Sequence, residues 1–188
     1  MKKIAVFASG EGTNTQKIIE HFHGKGAAVS LIVCGNPQAG VIRAARSGNI
    51  PLLLVEKNSF YNSESVLKKI VSEKIDWIVL AGFFWLIPQN ILRAFPNRII
   101  NIHPALLPKF GGKGMYGMNV HKAVIGAKEK ESGISIHYVN EKYDEGKIIL
   151  QKKCTVGEND TAETLAEKVR TLEHEWYPKV IEELITKS

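Results

Sequence analysis

The sequence predicts an α/β protein: a mostly parallel open sheet with flanking helices, followed by an antiparallel strand pair and a C-terminal helix. Two observations carry this expectation. Up to residue 103, short apolar runs alternate with stretches of helical period. Strands separated by helices of that length pair in parallel through right-handed crossovers. From residue 133 the pattern becomes two strand-like segments joined by the polar run 140–145, and then one long helical stripe. That is the pattern of an antiparallel pair with a closing helix.

Residues 2–8 read as a buried strand, followed by the polar turn Ser9-Gly10-Glu11-Gly12-Thr13-Asn14. A helix over 15–23 puts Ile18, Ile19 and Phe22 at helical spacing. The next strand, 29–34, is closed by Gly35-Asn36-Pro37; 41–47 is helical and 51–55 is a third strand. The stretch 63–74 is amphipathic through Val66, Ile70 and Val71. A fourth strand covers 76–81, a short helix opened by proline covers 88–94, and 98–103 is the fifth strand. This half is a Rossmann-like, nucleotide-binding-like layer.

Beyond it, residues 109–118 carry four glycines, Gly111, Gly112, Gly114 and Gly117, and read as a mobile loop. A helix spans 120–127. Residues 133–139 alternate Ile134, Ile136 and Tyr138 against Ser135 and His137, and 146–156 is the partner strand. The last helix starts near Asp160, with Glu163 at capping-box spacing, and Leu165, Val169, Leu172 and Trp176 form its buried stripe. No linker or repeat interrupts the pattern, so residues 1–188 are read as a single domain.

A chain of 188 residues, 44% hydrophobic and 23% charged, is large enough to bury a substantial core. Cys34 and Cys154 fall in strand-like segments without metal-ligand spacing. They are read as buried free thiols, which favours a reducing compartment. The apolar run after Met1-Lys2-Lys3 is short and meets a glycine turn, unlike a secretory signal. The longest apolar stretch, 77–87, is well short of the roughly 20 residues that span a bilayer. A soluble, cytoplasmic protein is expected, with no membrane partner. The net charge of +6 is dispersed, with lysines at most in pairs such as Lys68-Lys69. Nucleic-acid binding calls for a clustered basic stripe or a motif. Small phosphorylated or carboxylated ligands fit better.

Three constellations could carry chemistry. In Asn101-Ile102-His103-Pro104, period-2 alternation points the amide and the imidazole to one side of a strand end, and proline stops the ladder there. An amide can donate to a developing oxyanion and an imidazole can move a proton near neutral pH. Such a pair at a strand end is more often a satisfied structural one, but the rigid turn Ala105-Leu106-Leu107-Pro108 just beyond it favours a functional one. Gly10-Glu11-Gly12-Thr13-Asn14, between a strand and a helix, can turn backbone N–H groups toward an anion. It could also be an N-capped turn that needs only glycine flexibility, and it lacks the third glycine of the dinucleotide fingerprint. Tyr143-Asp144-Glu145-Gly146 places a carboxylate in a tight turn, ordinarily a solvated position. Phe83-Phe84-Trp85-Leu86 reads as core that could line an aromatic-ligand slot. His121 reads as a surface residue, Arg170 and Glu173 as a surface pair, and His21 and His23 as having no metal-ligand partner.

Together these residues resemble the folate-dependent formyltransferases, and among them the phosphoribosylglycinamide formyltransferases. The motifs are Ser9 to Asn14, Leu80-Ala81-Gly82-Phe83, Asn101 through Lys109, His137-Tyr138-Val139 leading to Asp144-x-Gly146, and Glu173-His174-x-x-Tyr177-Pro178. The resemblance implies transfer of a formyl group from 10-formyltetrahydrofolate to the amine of phosphoribosylglycinamide, in purine biosynthesis, with no metal. It implies Asn101, His103 and Asp144 as catalytic residues, with the carboxylate folded over the strand end so that charge pairing is expected to raise the His103 pKa and lower that of Asp144. Gly12, Thr13, Asn14 and Arg170 would hold the substrate phosphate, and Glu173 the glycinamide and ribose. Phe84, Trp85, Leu86, Ile87, Asn101, Asn140, Glu141 and Asp144 would bind folate. Residues 1–100 would thus form a phosphate-binding half and 101–188 a catalytic and folate-binding half, working as a monomer or homodimer.

Two relatives of that family act on other acceptors. Formyltetrahydrofolate hydrolases add an N-terminal regulatory domain, and methionyl-tRNA formyltransferases add a C-terminal RNA-binding domain. This chain opens on its first strand and closes on one helix, which favours the small phosphorylated amine. A non-catalytic phosphate-binding module is the alternative of a different class.

Overall fold

The computed structural model describes residues 1–187. The elements are β1 (Lys2–Phe7), α1 (Thr13–Phe22), β2 (Ala27–Cys34), α2 (Val41–Ser47), β3 (Leu52–Leu54), α3 (Lys57–Asn62) and α4 (Ser65–Ser72). They continue with β4 (Trp77–Leu80), α5 (Gln89–Ala94), β5 (Ile99–His103), α6 (Met118–Gly126), β6 (Glu131–Tyr138), β7 (Ile148–Thr155) and α7 (Ala162–Thr186). The strands form a single sheet in the order β3-β2-β1-β4-β5-β6-β7. The first five pair in parallel, and β5–β6 and β6–β7 are antiparallel.

Strand alternation sorts the core into two layers. Ile4 and Val6 of β1, Val79 of β4, and Ile100 and Ile102 of β5 face α1, α2, α6 and α7. Ala5 and Phe7, Ile78 and Leu80, and Ile99 face the opposite side, against α3, α4 and α5. Because β4 returns to the other flank of β1, the order reverses between them. Open α/β sheets hold ligands outside the strand ends at such a reversal, and here the loops after β1, β4 and β5 meet at that edge.

Local chemistry sets the turns that matter. Gly12 sits at φ +82°, and a Cβ there would lie 2.5 Å from the Cα of Val41, so only glycine fits the entry to α1. Ser135, fully buried on β6, donates to the Ala105 carbonyl at 2.7 Å and accepts from the Leu107 N–H at 2.9 Å. Gln151 donates to the same oxygen at 2.8 Å. The turn after His103 is therefore clamped by a hydroxyl from the neighbouring strand.

Some expectations need correction. The stretch before α4 contains a helix, α3, that periodicity did not reveal, because Phe60 is its single buried residue. Burying that ring contributes about 1.5–3 kcal/mol and pins the short helix. Val71 is 57% exposed; the buried stripe of α4 is Val66 and Ile70, one turn apart. The capping box of α7 pairs Thr161 with Thr164, one position later than expected. Asp160 is occupied instead with the Gly157 N–H and the Lys168 ammonium. Cys34 is buried but Cys154 is only half-buried, and both are free thiols. Leu172 and Trp176 are likewise half-buried, while Tyr177, Val180 and Ile181 carry the stripe of α7 onward.

Candidate active site

The end of β5 is the centre of a cleft of about 520 Å³. Asn101 is half-buried there and His103 is 3% exposed. Antiparallel pairing sets His137 of β6 opposite Asn101. The β6–β7 connection folds back over the strand end, with Asp144 in the left-handed region at φ +56°, a conformation that aspartate tolerates. Its Oδ2 accepts the Gly112 N–H at 2.9 Å and lies 3.5 Å from His103 Nδ1. Its Oδ1 lies 3.4 Å from Asn101 Nδ2 and 3.6 Å from His137 Nε2.

Hydrogen bonds decide the proton positions. His103 Nε2 is 2.7 Å from the Phe110 carbonyl, which can only accept, so Nε2 carries the proton and the neutral ring turns a lone pair on Nδ1 toward Asp144. His137 Nδ1 donates to the Tyr138 carbonyl at 2.8 Å, which leaves Nε2 to accept from Asn101 Nδ2 at 3.1 Å. That bond fixes which end of the Asn101 amide is NH₂. The second Asn101 N–H has only the long contact to Asp144 and is free to be recruited.

Burial pushes the His103 pKa below its ordinary value, although the Asp144 charge and the Phe110 carbonyl pull it up. Charge pairing was expected to raise it. The correction has a plain cause: the ring is almost wholly dehydrated, and desolvating an imidazolium outweighs a carboxylate held at 3.5 Å. For Asp144 burial is also the largest single effect and acts upward. The pull of the His137 and His103 rings when protonated, together with the Gly112 N–H at 2.9 Å, overcomes it, so this carboxyl stays below its usual range and ionised.

A second wall comes from the glycine loop and α7. Gly10, Glu11, Gly12, Thr13 and Asn14 line the cleft at the start of α1. Asn14 Nδ2 donates to Glu173 Oε2 at 3.0 Å across that wall. Burial raises the Glu173 carboxyl to about 7, against the pull of Asn14 and Arg170. Glu173 is thus a cleft residue rather than half of a surface pair. Arg170 is exposed and does not line the cleft.

The third wall is apolar. Phe84, Trp85, Leu86 and Ile87 line it with Val139 and Tyr143. Phe84 is 39% exposed and its ring lies 4.8 Å from that of Tyr116, while Trp85 packs into a cluster with Phe60 and Phe83. Asn140 and Glu141 are outside the lining: Asn140 Oδ1 accepts the Lys142 N–H within its own turn, and Glu141 is exposed.

Sequence reasoning passed over His137, His121, Lys113 and Tyr116, all of which line the cleft. His121 is 6% exposed, not a surface residue. His137 stood in the alternation of β6 and in the motif that carries the resemblance, but neither gave it a role; that it meets Asn101 depends on strand register. His21 does find a carboxylate, Glu182 at 2.7 Å, from α7. Among the described residues no group of three or more His, Cys, Asp or Glu is arranged to hold a metal ion, and no helix is long and apolar enough to cross a membrane.

Comparison with known proteins bears on the same residues. A family model described as formyl transferase matches residues 2–181. The chain is similar to the phosphoribosylglycinamide formyltransferase of Bacillus subtilis, at 39% identity over 98% of this chain and 95% of that one. It is 44% identical to the chloroplastic phosphoribosylglycinamide formyltransferase of Arabidopsis thaliana over 96% of this chain, and spans 64% of that longer protein. Among solved structures, phosphoribosylglycinamide formyltransferase from Bacillus halodurans superposes with a TM-score of 0.89 at 35% identity, covering 99% of this chain and 96% of that one. The glycinamide ribonucleotide transformylase 1 of Geobacillus kaustophilus gives 0.87 at 38% identity, covering 98% of each.

Proposed function

Since the chain belongs to the formyl transferase family, we propose that it is a phosphoribosylglycinamide formyltransferase, moving the formyl group of 10-formyltetrahydrofolate to the amine of phosphoribosylglycinamide in purine biosynthesis. The observation that carries this reading is the meeting of three walls at one strand end. A glycine loop at the start of α1 suits a phosphate, an apolar slot suits a flat heterocycle, and Asn101, His103 and Asp144 stand between them. The exposed ring of Phe84 and the flanking apolar side chains fit a folate, and the catalytic groups need no metal.

The folate supplies an electrophilic formyl carbon. The amine attacks it, a C–N bond forms, and the bond from that carbon to the folate nitrogen breaks. One proton must leave the amine and one must reach the folate nitrogen. Asn101 presents its recruitable N–H to the oxygen that gains charge. His103, held neutral by burial, offers the Nδ1 lone pair as proton acceptor, and Asp144 stabilises the imidazolium that results. The same imidazolium then returns the proton toward the leaving nitrogen. His137 keeps the Asn101 amide in its working orientation.

Gly12, Thr13 and Asn14 are assigned to the phosphate and Glu173 to the ribose and glycinamide. Arg170 is kept as an outer phosphate contact that a bound ligand would have to draw in. Asn140 and Glu141 are assigned to folate through their backbone, at the margin of the slot. Residues 1–188 are taken as one formyltransferase domain, acting as a monomer or homodimer on small-molecule substrates. The free thiols of Cys34 and Cys154 suit a reducing compartment, and the cytoplasm is the proposed site of action.

A steady-state assay tests the assignment. Formyl-folate alone should release formate slowly, and adding glycinamide ribonucleotide should accelerate folate turnover strongly. Rapid hydrolysis indifferent to the amine would move the protein to the deformylases.

The raised Glu173 carboxyl adds a pH dependence. Above about 7 it is ionised and accepts strong hydrogen bonds from substrate; below, it is protonated, one oxygen becomes a donor and the other accepts more weakly. kcat/KM for the phosphorylated amine should therefore decline as pH falls through about 7. Glu173→Gln should remove that step and leave a lower acid limb from His103. A step near neutrality that survives in the variant belongs to another group.

A further inference from the structure

His121 lines the cleft that holds His103, yet nothing in the reaction described above uses it. Its Nδ1 is enclosed without a hydrogen-bond partner among the described residues. Folded proteins leave few buried polar atoms in that state, because each has given up water for nothing. Asn14 Oδ1 is a second enclosed atom without a partner, and Asn14 also lines the cleft.

The layering of the fold decides which substrate these atoms meet. One turn after His121, Val124 of α6 packs into the core layer shared by α1 and α7. Asn14 is on α1 and Glu173 on α7, so both unpartnered atoms belong to the side of the cleft that carries the glycine loop. The apolar slot of Phe84 to Ile87 belongs with α3 and α5 on the other face. His121 is therefore placed for the phosphorylated amine and away from folate.

We propose that His121 is a recognition residue for the phosphorylated amine, its ring turning so that the enclosed Nδ1 faces the cleft and hydrogen-bonds an uncharged polar group of the substrate, a ribose hydroxyl or the glycinamide amide. This rests on the function proposed above. Burial keeps the ring neutral. A neutral imidazole has one donor and one acceptor, which suits a hydroxyl or amide better than a phosphate.

The test measures binding apart from chemistry. Glycinamide ribonucleotide is titrated calorimetrically, without folate, into wild type, His121→Leu and His121→Gln. Loss of one hydrogen bond should weaken binding by about tenfold in the leucine variant, with partial recovery in glutamine. KM for formyl-folate should stay within about twofold in both. Tm of the leucine variant should hold or rise, since an apolar side chain removes an unsatisfied nitrogen. Wild-type affinity in His121→Leu would overturn the inference and leave the enzyme assignment standing. A fall in Tm with no recovery in glutamine would make His121 structural and overturn it as well. Failure of wild type itself to bind the ribonucleotide would remove the assignment and the inference together.

Discussion

Replacing Asn101 by alanine will lower kcat by on the order of 100–1000-fold, the scale for removing one oxyanion donor, with little change in KM for either substrate. The geometry explains the asymmetry. One Asn101 N–H is committed to His137 Nε2 at 3.1 Å and the other has only a 3.4 Å contact to Asp144. That second N–H is gained by an oxygen that becomes charged during the reaction, so its loss is felt in the transition state far more than in substrate binding. Near-normal turnover in purified Asn101→Ala would remove this residue from the mechanism. A parallel rise in both KM values would recast it as a binding residue.

Asp144→Asn will cut turnover by roughly 10²–10⁴-fold, the range over which positioned acid–base groups act, while leaving affinity for the phosphorylated amine almost unchanged. The substitution is conservative in shape. Asparagine tolerates the left-handed backbone at φ +56°, and its amide oxygen can still accept the Gly112 N–H. What disappears is the charge 3.5 Å from His103 Nδ1. Burial already holds the His103 pKa below the ordinary histidine value, and the Asp144 charge opposes that effect. Without the charge the pKa must drop further, so the protonated ring needed midway through the reaction becomes harder to form. Ring resonances of His103, followed against pH by NMR in both proteins, measure this directly. An unchanged titration would mean that Asp144 is not the electrostatic partner of His103, and the three-residue site would fall.

How far the site was legible beforehand depended on whether its parts are local. Asn101 and His103 share a strand edge because they stand two residues apart, and Pro104 ends the ladder just beyond them. Gly12 announces a tight turn into a helix, and the packing against Val41 supplies the reason. His137 could not be found in this way. It lies 36 residues from Asn101 and meets it only through the register of β5 on β6. His121 was misread because a histidine on a short helix looks the same whether that face meets solvent or a cleft. The expected rise in the His103 pKa failed for a related reason: charge proximity is implied by a motif, but dehydration is a property of the packed whole.

By itself, then, the sequence determined the α/β layering, the strand end that bears an amide and an imidazole, and the glycine turn that can receive an anion. Each is set by side-chain period or backbone freedom within a few residues, so neighbours along the chain suffice. Only the tertiary structure decided that Asp144 closes over His103, that Glu173 leaves the surface and is lifted to about 7, and that His137 and His121 join the cleft. Those outcomes rest on contacts between distant segments and on how completely water is excluded from them, and both depend on packing that no local pattern encodes.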